Sequence, residues 1–520
     1  MNIKQIVSGE NKLSDRKQLA INMAATLLCF VINLGINFLL APYLTKTLGT
    51  EAYGFVSLAN NFVNYATILT IALNSMASRF ITIEIHKNNE KEANSYFNSV
   101  LIANIVIILV LIIPAICMIY YLENILNVPI EILKDVKLLF SLVFLNFFVT
   151  IIDSVYSIST FATNKLYLSS IKTIQSYIIR VGILIATFSC LKPSVFYVGL
   201  AALVSSIFIL VVDIYFTKRL LPKIKVKREY FSFKKIKVLI ASGIWNTITR
   251  LGQLLTDGLD LIICNLMISP TSMGQLAIVK TISTTFGSIL STVSSIFQPQ
   301  LIKYYAKRQI RKLVESLKTS MKISGMFTNI PFAFIIVFGQ AFYKLWQPTE
   351  DSFLLYILTI LTVQGVILSG VITPMYYIYT ITNKIKLDAI FRVIIGIFNV
   401  MVVYLIIQTT SIGIYAVAGV SAITTLLFNF IFVPIYTAKC LRIKYTTFYP
   451  LIMRYIMTTV IMIGVFFVLK PIILINGWMS LIGACIAFGM LGLVMNFILL
   501  LNKNEKGELI HIVKSKLKLE

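Results

Sequence analysis

Residues 102–119 read IANIVIILVLIIPAICMI, eighteen positions without a charge and with one Asn and one Pro as the only non-hydrophobic residues. As an α-helix this run rises about 27 Å, close to the ~30 Å hydrocarbon core of a bilayer. The run is continuous. A membrane β-strand would be shorter and would alternate polar with apolar residues. Working outward on both sides, the pattern repeats and predicts fourteen helices, at about 20–45, 54–82, 97–121, 136–162, 167–190, 194–217, 238–268, 273–302, 322–345, 353–380, 387–409, 412–437, 450–470 and 473–501. Pro42, Pro114, Pro299, Pro331, Pro374 and Pro434 fall inside these runs, where neighbouring helices must satisfy the freed carbonyls.

Composition agrees. Of 520 residues, 58% are hydrophobic and 13% charged, with a mean hydropathy of +0.87. Soluble domains carry roughly 25% charged residues, so a soluble enzyme is excluded. The fold class expected is an all-α polytopic membrane protein. The net charge of +25 does not point to nucleic acid, because no basic stretch has the interleaved aromatics of a nucleic-acid groove. It is a topology signal. The tails and the loops after even-numbered helices hold 33 Lys and Arg, against six after odd-numbered helices. Short cytoplasmic loops carry the positive excess, which places both termini in the cytoplasm. Trp346 and Trp478 then fall near the outer interface, where Trp is favoured. The six cysteines are scattered and the two histidines, His86 and His511, lie far apart. Neither a disulfide framework nor a metal site is expected, and no cofactor.

The chain reads as a duplication. At an offset of 220, residues 48–54, LGTEAYG, overlie 268–274, ISPTSMG, each a short outer turn leading into a long helix. In helix 2, Asn60, Asn64, Thr67, Asn74 and Ser78 share one face at 100° per residue. Their counterparts in helix 8 are Lys280, Thr284, Gly287, Ser294 and Gln298, with Ser291 added. Six helices separate the two, so the halves keep one orientation, as in parallel transporter repeats. The organisation expected is a tail (1–19), an N-lobe of helices 1–6 (20–217), a basic linker (218–237), a C-lobe of helices 7–12 (238–437), helices 13 and 14 (438–501) and a second tail (502–520). Polar stripes serve either as helix–helix glue or as walls of a wet cleft between lobes. Their matched register favours the cleft.

Ionisable residues at bilayer depth cost about 2.5–3.5 kcal/mol and must face a partner or water. Helix 7 places Asn246, Arg250, Gln253, Asp257 and Asp260 within an ~80° sector. Lys280 lies in helix 8. In the N-lobe stand Arg79, Asp153, Lys172 and Arg180. One reading is internal pairing, Arg250 with Asp257 or Asp153 with Arg180, and snorkelling of Arg79 and Lys172. The functional reading is a cationic site for a phosphate head group, since Arg offers a planar fork and Lys a point charge. Asp257 and Asp260 then hold Arg250 or bind a coupling cation. No nucleophile or large external domain accompanies the acids, so an enzyme is not expected.

Residues 37–54, NFLLAPYLTKTLGTEAYG, with 73–81, LNSMASRFI, resemble the opening of bacterial polysaccharide-unit (O-antigen-type) flippases, members of the multidrug/oligosaccharidyl-lipid/polysaccharide exporter superfamily. Residues 260–266, DLIICNL, and 295–300, SIFQPQ, resemble its C-lobe segments. The resemblance implies two lobes and translocation of an undecaprenyl-diphosphate-linked oligosaccharide to the outer leaflet. It implies a multi-pass protein of the bacterial cytoplasmic membrane. Its partners are then the lipid-linked substrate, the bilayer and the polymerase or glycosyltransferases of the pathway, with no nucleic acid. Arg79 matches a basic family position ending helix 2, and Asp260 an acidic position in helix 7. The Arg-rich helix 1 of lipid II flippases is absent.

The substrate-binding residues expected are Arg79, Arg180, Arg250, Lys280, Asn60, Asn64, Asn74 and Gln298. The coupling or structural acids are Asp153, Asp257 and Asp260. The competing reading is an ion-coupled multidrug exporter of the same superfamily, in which acids should outnumber embedded cations. A facilitator-type transporter needs a Gly-rich Asp-Arg loop after helix 2, where this chain has EIHKNNEKEA at 84–93. A non-transporting scaffold needs the stripes sealed in dry packing.

Overall fold

The computed structural model describes residues 15–502 and 505–507. Most of both expected tails, with His511, lies outside the described residues. All fourteen expected helices are present. They are α1 (Asp15–Leu48), α2 (Thr50–Ala66 and Ile68–His86), α3 (Glu90–Tyr120), α4 (Leu133–Tyr156 and Ile158–Ala162), α5 (Leu166–Cys190) and α6 (Phe196–Leu220). Next come α7 (Phe233–Gln253, a π turn at Leu254–Gly258, and Asp260–Met267) and α8 (Pro270–Ser295 and Gln298–Ala306). The rest are α9 (Ile310–Trp346), α10 (Ser352–Ile381), α11 (Ile385–Thr409), α12 (Ile414–Leu427, a π turn at Phe428–Phe432, and Val433–Leu441), α13 (Tyr449–Leu469) and α14 (Trp478–Leu499).

Among the described residues, thirteen helices are long and apolar enough to cross a membrane, α7 being the one left out. Its polar residues and its π turn explain why. The outer surface is that of a lipid-bathed protein. Along α3, Val106, Leu109, Val110, Ile113 and Ile116 are all exposed, because lipid tails, unlike water, do not penalise them. Trp346 departs from its expected interfacial role. It is buried, stacked on Phe342 with ring centroids 5.3 Å apart, while Trp478 is exposed. Pro299 and Pro434 do not interrupt helices either. Each sits in the first turn of a restarted segment, where its missing N–H costs nothing.

The duplication is written in the backbone. Helix α2 spans Thr50–His86 and α8 spans Pro270–Ala306, matching end for end at the offset of 220. Both are followed by a left-handed residue, Asn88 at φ 56° and Arg308 at φ 55°. In each turn the next amide reaches back five residues, Asn89 N to Glu84 O and Gln309 N to Tyr304 O, both 3.0 Å. This is the Schellman closure of a helix. It recurs after α4 at Asn164, after α10 at Asn383 and after α12 at Arg442. All five turns come after even-numbered helices, the side that carries the Lys and Arg excess.

The chain forms two compact units, Met1–Arg250 and Leu251–Glu520. The division falls inside α7, beyond the basic linker where the sequence places it. In the first unit, Leu73, Ala77 and Ile81 of α2 pack with Phe97 and Val100 of α3, Val155 of α4 and Leu239 of α7. In the second, Met321, Met375, Tyr379 and Tyr455 centre one core, and Phe338, Phe466 and Phe488 centre another. Helices α13 and α14 are therefore integral to the C-terminal unit. Asn329 of α9 and Asn496 of α14 exchange amide hydrogen bonds of 2.8 and 3.0 Å, and both are fully buried. Such reciprocal bonds hold membrane helices together where the hydrophobic effect does not.

The linker after α6 is strapped to the start of α3. Asn94 accepts from Lys225 N at 2.7 Å and donates to Lys223 O at 3.0 Å. Asn98 donates to Lys225 O at 2.8 Å and accepts from Lys227 N at 2.9 Å. Ser99 closes the strap on Ser232. A side-chain amide that completes an extended backbone on both sides substitutes for a neighbouring strand. Asn98→Ala leaves two linker backbone groups unpaired, a cost of about 1–3 kcal/mol each where they are buried. Trypsin is expected to cut at Lys223, Lys225 and Lys227 several-fold faster in this variant, and peptide mapping checks it.

Candidate functional site

The break in α7 builds the first polar centre. A π turn widens the helix by one residue and leaves carbonyls without their usual amides. Two side chains take them. Lys280 of α8 donates to Asp257 O, and Asn399 of α11 donates to Thr256 O at 3.0 Å. Lys280 also pairs with Asp260 at 2.6 Å. The other Asp260 oxygen accepts from Ser421 of α12 at 3.0 Å, and Ser421 accepts from Asn399 at 3.1 Å. Asp260, Asn399 and Ser421 are buried. One carboxylate thus joins α7, α8, α11 and α12.

This geometry changes the expected face of α7. The π turn rotates the remainder of the helix, so the two acids part. Asp257 is exposed and Asp260 buried, and the ~80° sector expected for an unbroken helix does not survive. Lys280 and Asp260 are brought together, so the charge of Lys280 is already answered within the protein. Arg250 is half-buried at the end of the first unit, and Asn246, one turn earlier, donates to Ser75 of α2 at 3.3 Å.

The stripes are exposed, with one correction. On α8, Thr284, Gly287, Ser288, Ser291 and Ser295 are exposed, and Gln298 is half-buried. Ser294 instead turns inward and bonds Ser324 of α9 at 3.1 Å. The exposed hydroxyls donate to carbonyls of their own helix, Ser288 to Thr284 O and Ser291 to Ser288 O. Their lone pairs are left outward. On α2, Asn60 is exposed and caps Val56 O at 2.8 Å. Asn64 and Asn74 are half-buried, and Asn74 accepts from buried Asn104 at 3.1 Å. Arg79 is exposed but does not end the helix, which runs on to His86.

The N-terminal unit holds a second centre that differs from the pairings expected. Lys172 does not snorkel. It is buried and ion-paired with Asp213 of α6. Asp153 faces Asp213 and Lys172 rather than Arg180. Arg180 lies beside Tyr177 of its own helix, and its buried Nε has no hydrogen-bond partner.

The sequence matches the polysaccharide biosynthesis protein family over residues 19–299. The chain belongs to that family. It is 29% identical over 487 residues to the uncharacterized membrane protein EpsK of Bacillus subtilis (strain 168), covering 94% of this chain and 96% of that one. Among solved structures it is similar to the lipid II flippase MurJ in its inward closed conformation. The TM-score is 0.69 at 16% identity, over 92% of this chain and 98% of that one. An inward-facing multidrug resistance MATE transporter of the MOP superfamily gives 0.64 at 12% identity, over 81% and 98%. At those identities the likeness is one of fold. It bears out the all-α, two-lobe membrane architecture read from the sequence, and the family match bears out the resemblance.

This family member carries polar residues that sequence reasoning passed over. Ser421 and Asn399 complete the Asp260 centre. Arg392 of α11 is held by Asp388 at 2.9 Å and lies 4.5 Å from the Tyr376 ring centroid and 5.0 Å from that of Phe428. Asp213 and Arg392 are ionisable residues inside apolar runs, and that signal alone was enough to single them out. Ser421 and Asn399 gave no such signal, being ordinary small polar residues until the fold joins them.

Proposed function

We propose that this chain is a transporter that flips a polyprenyl-diphosphate-linked oligosaccharide from the cytoplasmic to the outer leaflet. The reading places it in the cytoplasmic membrane of a bacterium, with both termini inside. The observation that carries it is the exposed hydroxyl face of α8, from Thr284 to Ser295. A membrane helix bathed only in lipid has no use for a row of outward lone pairs. A glycan, dense in hydroxyl groups, is a matching ligand. Within the N-terminal unit, Asn60 and Asn64 of α2 offer amide groups of the same kind. Arg79 and Arg250 supply the forked donors that a diphosphate needs, with Arg180 a third candidate. Lys280 serves chiefly to hold Asp260 and the helix break. That pairing weighs against the multidrug-exporter reading, which needs an acid free to meet a cationic drug. Membership of a polysaccharide biosynthesis family supports the substrate class.

The test is the fate of the lipid-linked glycan in cells depleted of the protein. It is expected to accumulate, shielded from a membrane-impermeant glycan oxidant added outside. Wild-type protein restores its oxidation. Ser288→Leu with Ser291→Leu is expected to lower that restoration about tenfold, equivalent to roughly 1.4 kcal/mol of lost transition-state binding. Thermal stability should stay within about 0.5 kcal/mol, as for surface substitutions. Full restoration by the double variant would rule out the hydroxyl face as the glycan site.

A further inference from the structure

The centre in the N-terminal unit does not balance. It joins Asp153 of α4, Lys172 of α5 and Asp213 of α6, two carboxylates against one ammonium. Lys172 and Asp213 are 3% and 0% exposed, and Asp153 is half-buried, so the surplus charge sits largely away from bulk water. The Lys172 ammonium bonds Asp213 Oδ2. Asp213 Oδ1 and Asp153 Oδ1 are both buried and have no hydrogen-bond partner. The Asp153 carboxyl lies within hydrogen-bonding reach of the Asp213 carboxyl. The charged groups that face Asp153 are Asp213 from α6 and Lys172 from α5. Helices α2 and α3 bring the neutral Asn74 and Asn104 to this part of α4. On the far side Thr217, one turn beyond Asp213, donates to Tyr156 O and closes the cluster.

Three observations therefore need one cause: a surplus negative charge, two carboxyl groups in contact, and buried acceptor oxygens without donors. Two like charges in contact cannot both stay ionised in a low-dielectric site. We propose that Asp153 and Asp213 share one exchangeable proton and form a proton-binding site in the N-terminal lobe. The proton forms an O–H bond on one carboxyl, which donates to the other. Lys172 neutralises the carboxylate that remains. The cluster lies roughly 10 Å in from the end of α6, seven residues at 1.5 Å each. Release breaks the O–H bond, hands the proton to water and leaves the second carboxylate exposed to Lys172 alone. The occupancy of the site thus changes the charge holding α4, α5 and α6 together, the property a coupling ion requires. The site stands without the flippase reading. Only its use in coupling rests on that reading.

The experiment is infrared spectroscopy of the full-length protein in lipid nanodiscs near neutral pH. A carboxylic acid shows a carbonyl stretch that a carboxylate lacks, and the band shifts in heavy water. Asp153→Asn is expected to remove one such band. This variant keeps the Lys172–Asp213 pair and mimics the protonated acid, so it is expected to fold with unchanged melting. Asp213→Asn is expected to remove the same band but to melt earlier, since it leaves Lys172 unpaired. A spectrum unchanged by Asp153→Asn overturns the proposal. So does a band that disappears when sodium chloride replaces choline chloride at fixed pH, because the site then binds a metal cation. In vesicles, an imposed pH gradient is expected to speed glycan-lipid transport by wild type and not by Asp153→Asn. If the band is present and transport is absent even in wild type, the flippase reading fails and the proton site stands.

Discussion

Asp260→Ala is expected to destabilise the C-terminal unit by about 3–5 kcal/mol, the usual cost of removing one partner from a buried ion pair. The substitution strands Lys280 beside a buried position and removes the acceptor of Ser421. Detergent melting of the purified protein reads it directly. The double variant Asp260→Leu with Lys280→Met removes both charges and keeps side-chain bulk. It is expected to recover most of that stability, since a buried pair is worth little more than well-packed apolar groups. It is not expected to recover transport, because the Asp257 carbonyl loses its donor and the α7 break loses its brace. If single and double variants melt alike, Lys280 and Asp260 are not a pair. If the double variant transports normally, the centre is structural only.

Gly252→Ala is the second large effect expected. An added Cβ would lie 2.6 Å from Arg392 Cβ and 2.7 Å from Arg392 C. Its counterpart Gly396 is as close, 2.5 Å from Leu255 Cβ and 2.9 Å from Gly252 O. Two glycines thus let α7 and α11 cross backbone to backbone, as small residues do between membrane helices. Neither helix can retreat freely, for Arg392 is fixed by Asp388 and by the Tyr376 and Phe428 rings. Overpacking alone costs about 1–3 kcal/mol, and displacing the half-buried Arg392 adds to it. Gly252→Ala is expected to yield little folded protein on size-exclusion chromatography. Gly35→Ala, where an added Cβ meets nothing within 4 Å, is the matched control and should elute as wild type. Equal behaviour of the two would contradict the close crossing.

Local forces decided how much of the fold was legible in the sequence. Helix number and register were readable because each span must be apolar by itself, and the 220-residue repeat returned as matching ends of α2 and α8. The π turn was not readable. Nothing in residues 254–258, LLTDG, demands an extra residue per turn, and its stabilising contacts come from Lys280 and Asn399 on other helices. The angular argument for α7 failed at that turn, and with it the shared face of Asp257 and Asp260. Ser294 was misplaced for a related reason, since periodicity alone cannot tell a cavity face from a Ser–Ser contact with α9. Asp153 was assigned Arg180 as its partner by charge alone. The fold gave it Asp213 and Lys172 instead, because pairing in a helical bundle depends on rotation about each axis.

The most direct test of the flippase reading is glycan-lipid crossing in vesicles that contain only this protein. A polyprenyl-diphosphate oligosaccharide is placed in one leaflet, and its exposure in the other is tracked with an impermeant glycan-modifying reagent. Crossing at least about tenfold above protein-free vesicles is expected, a barrier lowered by roughly 1.4 kcal/mol or more. Ser288→Leu with Ser291→Leu should return it to background. Equal crossing with and without the protein, or undiminished crossing by the double variant, would contradict the flippase reading.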